Sequence, residues 1–483
     1  MVLSAIILTP LAALFLTLLI PARNDKAIKA VSALAGAVTV ALAAYVWFKF
    51  DPYSTARYQL VERVEWVPTF GISYYLGVDG IGVLMTMLNA IVFLTGALSM
   101  WRLELRVKEY FAFMLTLVIG VFGVFVSLDL FFFFFFYEVA VLPMYPLIAV
   151  WGSTRKEYAA MKLTLYLMAG SALLFPALLS IYYKSGLNTF DMVALSGHKF
   201  SEAYQIFVYP FIYIGFGVLA GMFPVHGWSP TGHVAAPTAV SMLHAGVLMK
   251  LGAFGILRVA MPLLPAGAAY WNGPFAALAT CNIVYGALVA LKQDDFKFVI
   301  GFSSVSHMGI VLLGINMLTI DGMGGAVFQM FAHGVMTALF FSAVGFIYDQ
   351  AHTRDIHEFG GLSKHVPIAS AFFIIAGLCG MGVPGFASFW AELLVFIAAV
   401  KTMPLFGVLA VVGLIISALF MLRVLKHAFF GPANPKWQGL RDVTAWDALP
   451  RAILIAVLIL FGFIPRLALA LIASSVRALA GGI

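Results

Sequence analysis

The stretch MFPVHGWSPTGHVAAPTAVSMLHAGVLMKLGAFGILR, from Met222 to Arg258, decides the fold. It joins an apolar helix broken at Pro224, with His226 and Pro230 close behind, to a long apolar helix carrying Lys250 near its middle. A proline removes a backbone hydrogen bond, and inside a bilayer the freed carbonyl is tolerated only where protein or trapped water satisfies it. An ammonium inside a neighbouring apolar span is costly for the same reason. Together they imply a polar pocket at membrane depth.

The rest of the chain fits a membrane setting. With 63% hydrophobic and 10% charged residues and a mean hydropathy of +1.02, the 483 residues are too apolar for soluble globules. Windows of about 20 apolar residues give about 14 spans, so the fold class expected is an all-α polytopic membrane protein with no extramembrane domain. The net charge of +7 does not point to nucleic acid, because the cations are scattered singly through short loops. Of 28 Lys and Arg residues, 17 fall on one set of alternate loops, 8 on the other, and Lys162, Lys250 and Arg258 lie inside spans. The positive-inside rule puts the richer face in the cytoplasm and both termini on the non-cytoplasmic side; the membrane expected is a bacterial inner membrane. Cys281 and Cys379 lie in apolar spans without cluster spacing and read as core packing, with no metal or redox centre. The first apolar run, from Val2 to Pro21, lacks a basic leader and a cleavage site and reads as a retained span.

A weak internal repeat divides the chain. The break at Pro224 recurs at Pro384, in MGVPGFASFW, and Glu138 and Lys162 have rough counterparts in His307 and His333. Paired interrupted spans in two halves point to an inverted repeat. The expected organisation is a leading three-helix region, 1–109, then two five-span halves, 110–262 (spans 4–8) and 263–426 (spans 9–13). An amphipathic loop and the last span, 427–483, would close the chain.

An ionisable group at mid-bilayer costs about 2.5–3.5 kcal/mol on insertion scales, so each requires a reason. Glu138 ends a run that begins with Asp129 and continues through Phe131–Phe136. Lys162 lies early in the next span, able either to snorkel to the surface or to pair with Glu138. Lys250 has only apolar or small neighbours between His244 and Arg258, which leaves no surface within reach. His244 is six residues away and points about 120° from it. In the second half, Ser303, Ser306 and His307 fall within one or two turns, while Gln329, His333 and Thr337 share a face at i, i+4, i+8. Histidines on adjacent spans suit a proton relay. Glu392 follows the second break as a terminal carboxylate. Glu138, Lys162, Lys250, His307, His333 and Glu392 would form a polar axis through the midplane, with Asp129, His226 and His244 as further candidates.

With these residues placed, the chain resembles the antiporter-like subunits of respiratory complex I, of the subunit M type, the counterpart of mitochondrial NADH dehydrogenase subunit 4. The resemblance rests on SLDLFFFFFFYEVAVLPMYPLIAVWG, FPVHGWSPTGHVAAPTAVSMLHAGVLMKLG, FKFVIGFSSVSHMGIV, QMFAHGV and HTRDIHEFGGL. It implies 14 spans, two inverted five-helix repeats, and proton pumping driven by quinone reduction elsewhere in the complex. By position, Glu138 matches the family's fifth-helix carboxylate, Lys250 its connecting lysine, His307 and His333 its relay histidines, and Glu392 the twelfth-helix acid, where sister subunits carry Lys. The resemblance implies no cofactor in this chain, with NADH, FMN, iron–sulfur clusters and quinone in partner subunits, so the chain itself would hold no redox centre. The expected partners are antiporter-like sister subunits, small membrane subunits, lipid and protons. One departure stands out: GFGVLAGMFPVHGW offers Leu219 where the family places a lysine before the break. Either Lys162 partners Glu138 in its place, or the first half loads protons differently. A subunit of a multisubunit sodium/proton antiporter or membrane-bound hydrogenase, or a non-pumping structural subunit, are the competing readings.

Overall fold

The computed structural model describes residues 1–482. Thirteen helices among them are long and apolar enough to cross a membrane. They are spans 1 (Val2–Leu19), 2 (Asp25–Lys49), 3 (Gly80–Ser99), 4 (Val107–Val126), 5 (Leu130–Trp151), 6 (Lys156–Ser185), 7 (Glu202–Ala220), 8 (Thr238–Leu263), 9 (Pro265–Leu291), 10 (Phe296–Asn316), 11 (Ile320–Ala351), 13 (Pro404–Phe429) and 14 (Ala445–Phe463). Span 12 is the broken pair Pro367–Gly380 and Ala387–Thr402, which completes the fourteen. Spans 8 and 11 are buried throughout, whereas spans 1, 2, 6, 13 and 14 turn much of their surface outward. The polar groups therefore have to be sought around spans 8 and 11.

Two capping aspartates display the inverted symmetry. Asp129 starts span 5 by accepting from the Phe131 and Phe132 amides at 2.9 and 3.2 Å, and Asp295 starts span 10 by accepting from those of Lys297 and Phe298 at 2.7 and 3.2 Å. A carboxylate there satisfies helix-terminal donors and suits the positive end of the helix dipole. Each backbone also bridges to a second aspartate, Asp129 to Asp191 and Asp295 to Asp355. Because spans 5 and 10 run in opposite directions, the two assemblies sit on opposite faces of the bundle. Measured from its cap, His307 lies one turn deeper than Glu138.

Four details differ from the sequence reading. Span 7 does not end at its break: a second half-helix, Trp228–Ala235, follows it, so span 8 begins only at Thr238. The chain between spans 2 and 3 forms an antiparallel hairpin, β1 (Gln59–Val67) with β2 (Ile72–Val78). Gly71 closes the hairpin at φ 64, with a Cβ there falling 2.0 Å from the Asn188 carbonyl. The amphipathic element of the last segment follows span 14 rather than preceding it. It is the helix Arg466–Ala480, whose buried side, Ala468, Leu471, Ile472, Ser475, Val476 and Leu479, packs on spans 3 and 11. The connection before span 14 holds only a short turn, Pro435–Trp437. Cys379 is buried, with its Sγ 3.1 Å from Ser388 Oγ, but Cys281 faces outward from span 9 rather than packing in the core.

Candidate functional site

Span 8 is not a regular α-helix. It contains two π-turns, His244–Leu248 and Ile256–Ala260, the kind of irregularity that re-aims side chains and exposes backbone groups inside a helix. In the first, the Met249 amide bonds the His244 carbonyl five residues back. The Ala245 carbonyl then accepts from Lys250 Nζ at 2.6 Å. Lys250, fully buried, is held by its own helix and aimed at span 11, where its Nζ lies 2.7 Å from His333 Nδ1.

From there the polar groups continue without interruption. The His333 and His307 rings are 5.2 Å apart, and His307 Nδ1 lies 3.1 Å from Glu392 Oε1. Gln329, one helical turn before His333, donates to Glu392 Oε1 at 2.9 Å and lies 3.3 Å from His307 Nδ1. The structure thus brings Lys250, His333, His307 and Glu392 into one buried row across spans 8, 11, 10 and 12. Its members retain unmatched atoms: His333 Nε2, His307 Nε2, Gln329 Oε1 and Glu392 Oε2 have no protein partner. Groups of this kind in a buried site are ones that water or a moving proton can engage. Glu392 is placed by the second break, since a Cβ on Gly382, at φ 68, would fall 2.8 Å from Glu392 Oε2.

The first half is arranged differently. Glu138 accepts from Ser171 Oγ of span 6 at 2.5 Å and lines a cavity of about 240 Å³ with Phe131, Phe134, Phe135 and Phe175. Three of these rings are partly exposed on the side of the bundle. Lys162 is not its partner: no ion pair joins them among the described residues. Lys162 and Ser171 are nine residues apart on one helix, which is about 13 Å along the axis and on opposite faces. Lys162 Nζ instead donates to Thr231 Oγ1 at 3.2 Å, on the half-helix beyond the span 7 break. Leu219 is fully buried at the end of the preceding half-helix.

Asp129 does not join the row. Its Oδ1 caps span 5 and its Oδ2 accepts from the Ser73 amide at 3.1 Å, so it anchors the hairpin to the helix. Burial pushes its carboxyl up to about 6, against the pull of these backbone donors. His226, just after the break, packs its ring against Phe223 and Tyr285. His244 stacks on Trp228 at 5.1 Å and meets the ring of His233 at 4.4 Å, with neither of its nitrogens matched.

Several residues had no place in the sequence reading. Asn282 of span 9 holds the span 7 break: its Nδ2 donates to the Gly221 and Val305 carbonyls at 2.8 and 3.2 Å, and its Oδ1 accepts from the Phe223 amide. Trp228 Nε1 satisfies the Val218 carbonyl at 2.8 Å. His233, fully buried on the second half-helix, lies 3.0 Å from Ser229 Oγ. The end of that half-helix is clasped by cations, with Lys297 Nζ on the Ala236 carbonyl at 2.7 Å and Arg354 Nη1 on the Val234 carbonyl at 3.0 Å. Positive groups at a helix C-terminus complement its dipole. A lone Asn or His inside an apolar span was the only available signal for Asn282 and His233. On the same face as that clasp, a cavity of about 480 Å³ is lined by Arg102, Glu104, Thr238, Asp349, Asp447 and Arg451 among others.

Fourteen spans, two of them broken, around a buried Lys–His–His–Glu row define an antiporter-like, multi-pass membrane protein. Residues 127–417 match the family described as NADH:quinone oxidoreductase/Mrp antiporter, TM, and the chain belongs to that family. It is 35% identical to NADH-quinone oxidoreductase subunit M of Rickettsia prowazekii (strain Madrid E), with 96% of each chain covered. It is likewise 35% identical to NAD(P)H-quinone oxidoreductase chain 4 2 of Microcystis aeruginosa, over 96% of this chain and 90% of that one. Among solved structures it is similar to a chain of respiratory complex I from Thermus thermophilus with bound NADH, at a TM-score of 0.90 and 27% identity over 100% of both chains. The Mrp complex from Dietzia sp. DQ12-45-1b shares the fold at a TM-score of 0.86 and 21% identity, over 99% of this chain and 97% of that one.

Proposed function

We propose that the chain is a subunit M-type membrane-arm component of a proton-pumping NADH:quinone oxidoreductase. It moves protons through buried Lys, His and Glu side chains and carries out no redox step itself. The observation that carries this reading is the Lys250–His333–His307–Glu392 row, in which every neighbour is close enough for transfer directly or through one water. A proton held on Lys250 passes to His333, then to His307, and leaves by Glu392.

NADH, FMN, iron–sulfur clusters and quinone belong to partner subunits in this reading. The two five-span halves act as successive proton-handling units, with Glu138, at the side of the bundle, meeting an adjacent membrane subunit across its aromatic-lined cavity. The face richer in Lys and Arg lies in the cytoplasm of a bacterium, and both termini lie on the other side of the inner membrane. The family description spans both kinds of machine, and the higher identity to the quinone oxidoreductase subunits, 35% against 21% for the Mrp chain, favours the first over the sodium/proton antiporter reading. Replacing His333 with Ala in the assembled complex tests the assignment. Protons pumped per electron should fall while the redox partners still reduce quinone, and an unchanged ratio would overturn it.

A further inference from the structure

On span 8, Lys250, Phe254 and Arg258 follow at i, i+4 and i+8, so they share one face, with Arg258 about 12 Å nearer the face opposite the basic loops. A proton on Lys250 therefore has a short direct route out through the first half, which would bypass the row leading to Glu392. That route is filled. Phe254 is nearly fully buried between Phe125, at 5.1 Å edge-on, and Phe133, at 6.3 Å stacked. Beyond it Arg258 lies over the Phe254 ring at 4.9 Å and the Tyr58 ring at 5.0 Å. Its Nη2 pairs with Asp79 Oδ1 at 2.6 Å, both side chains buried. The free space against this pair is about 10 Å³, lined by Arg57, Ile81 and Leu479 of the C-terminal helix as well. That admits about one water and no chain of waters.

We propose that Phe254 and the Arg258–Asp79 pair form a plug that blocks protons from leaking between Lys250 and the opposite face, with the fixed guanidinium charge as the barrier. A permanent cation in a narrow, dry passage repels a proton as it does in other pores. The plug rests on the translocation reading above, because only a loaded Lys250 needs insulating. It also assigns Asp79 two tasks: besides pairing with Arg258, it caps span 3 through the Gly82 amide at 2.9 Å.

The test uses the assembled complex in sealed vesicles, following the decay of an imposed pH gradient with a trapped pH-sensitive dye. Arg258→Gln removes the cation and leaves a buried carboxylate able to bind protons, so the gradient should collapse severalfold faster. Arg258→Lys keeps the charge and should stay tight. Asp79→Asn keeps a residue able to cap span 3 and leaves the cation unopposed, so it should stay tight as well. A mere packing clasp predicts that both partners' loss leaks alike; equal leaks from Asp79→Asn and Arg258→Gln, or no leak from Arg258→Gln, would overturn the plug. Phe254→Ala, with the ion pair intact, should also leak, and serves if Arg258→Gln does not assemble. In the same vesicles, driven by NADH and quinone, an unchanged proton yield in Lys250→Ala would contradict translocation itself, whatever the leak.

Discussion

The two halves share a scaffold and differ in their polar contents. Both begin a long span from a capping aspartate, both contain a broken span, and the caps sit on opposite faces. In the second half the carboxylate beyond the break reaches the interior and meets His307, which continues to His333 and Lys250. In the first half the carboxylate lies at the side of the bundle with Ser171, while Lys162 of the next span is tied to the break instead. The comparison teaches that an inverted repeat preserves backbone breaks more readily than charge pairs. A break needs only partners for its freed backbone groups, which Asn282 and Trp228 supply. An ion pair needs two side chains in register.

The largest effect should come from cutting the continuous row. Glu392→Gln removes the terminal acid, and proton transfer through the second half should slow about 10²–10⁴-fold, read as lost proton yield during quinone reduction. Asn282→Ala asks whether the break itself is held by side chains. It strips the partners of the Gly221 carbonyl and the Phe223 amide, at about 1–3 kcal/mol for each group left unmatched, and should lower the melting temperature of the complex. Glu138→Gln should reduce pumping by less than about tenfold, ~1.4 kcal/mol of barrier. A loss equal to that of Glu392→Gln would erase the asymmetry between the halves. The smallest effect belongs to Lys162→Gln, which forfeits one hydrogen bond to Thr231, about 0.5–1.5 kcal/mol, and should leave proton yield close to normal.

Much of this was legible in the sequence, because hydropathy at membrane depth is a strong signal. The fourteen spans, both breaks and every member of the Lys250 to Glu392 row follow from apolar windows interrupted by single ionisable residues. What failed did so for physical reasons. The pairing of Glu138 with Lys162 depends on helix rotation, and nine residues on a helix place the Lys162 side chain opposite the Ser171 that Glu138 touches. Asp129 was read by charge type alone, though its place just before an apolar run is equally that of a helix cap. The hairpin from Gln59 to Val78 carried alternation in VERVEWV, but it was masked by a loop position. The π-turn that aims Lys250 leaves no mark in composition at all.

The most direct measurement is the ratio of protons pumped to electrons passed in the assembled complex carrying Lys250→Ala, with quinone reduction followed in the same vesicles. The account expects quinone reduction to persist while the ratio falls by the share this chain contributes. An unchanged ratio would mean that the buried row does not carry protons.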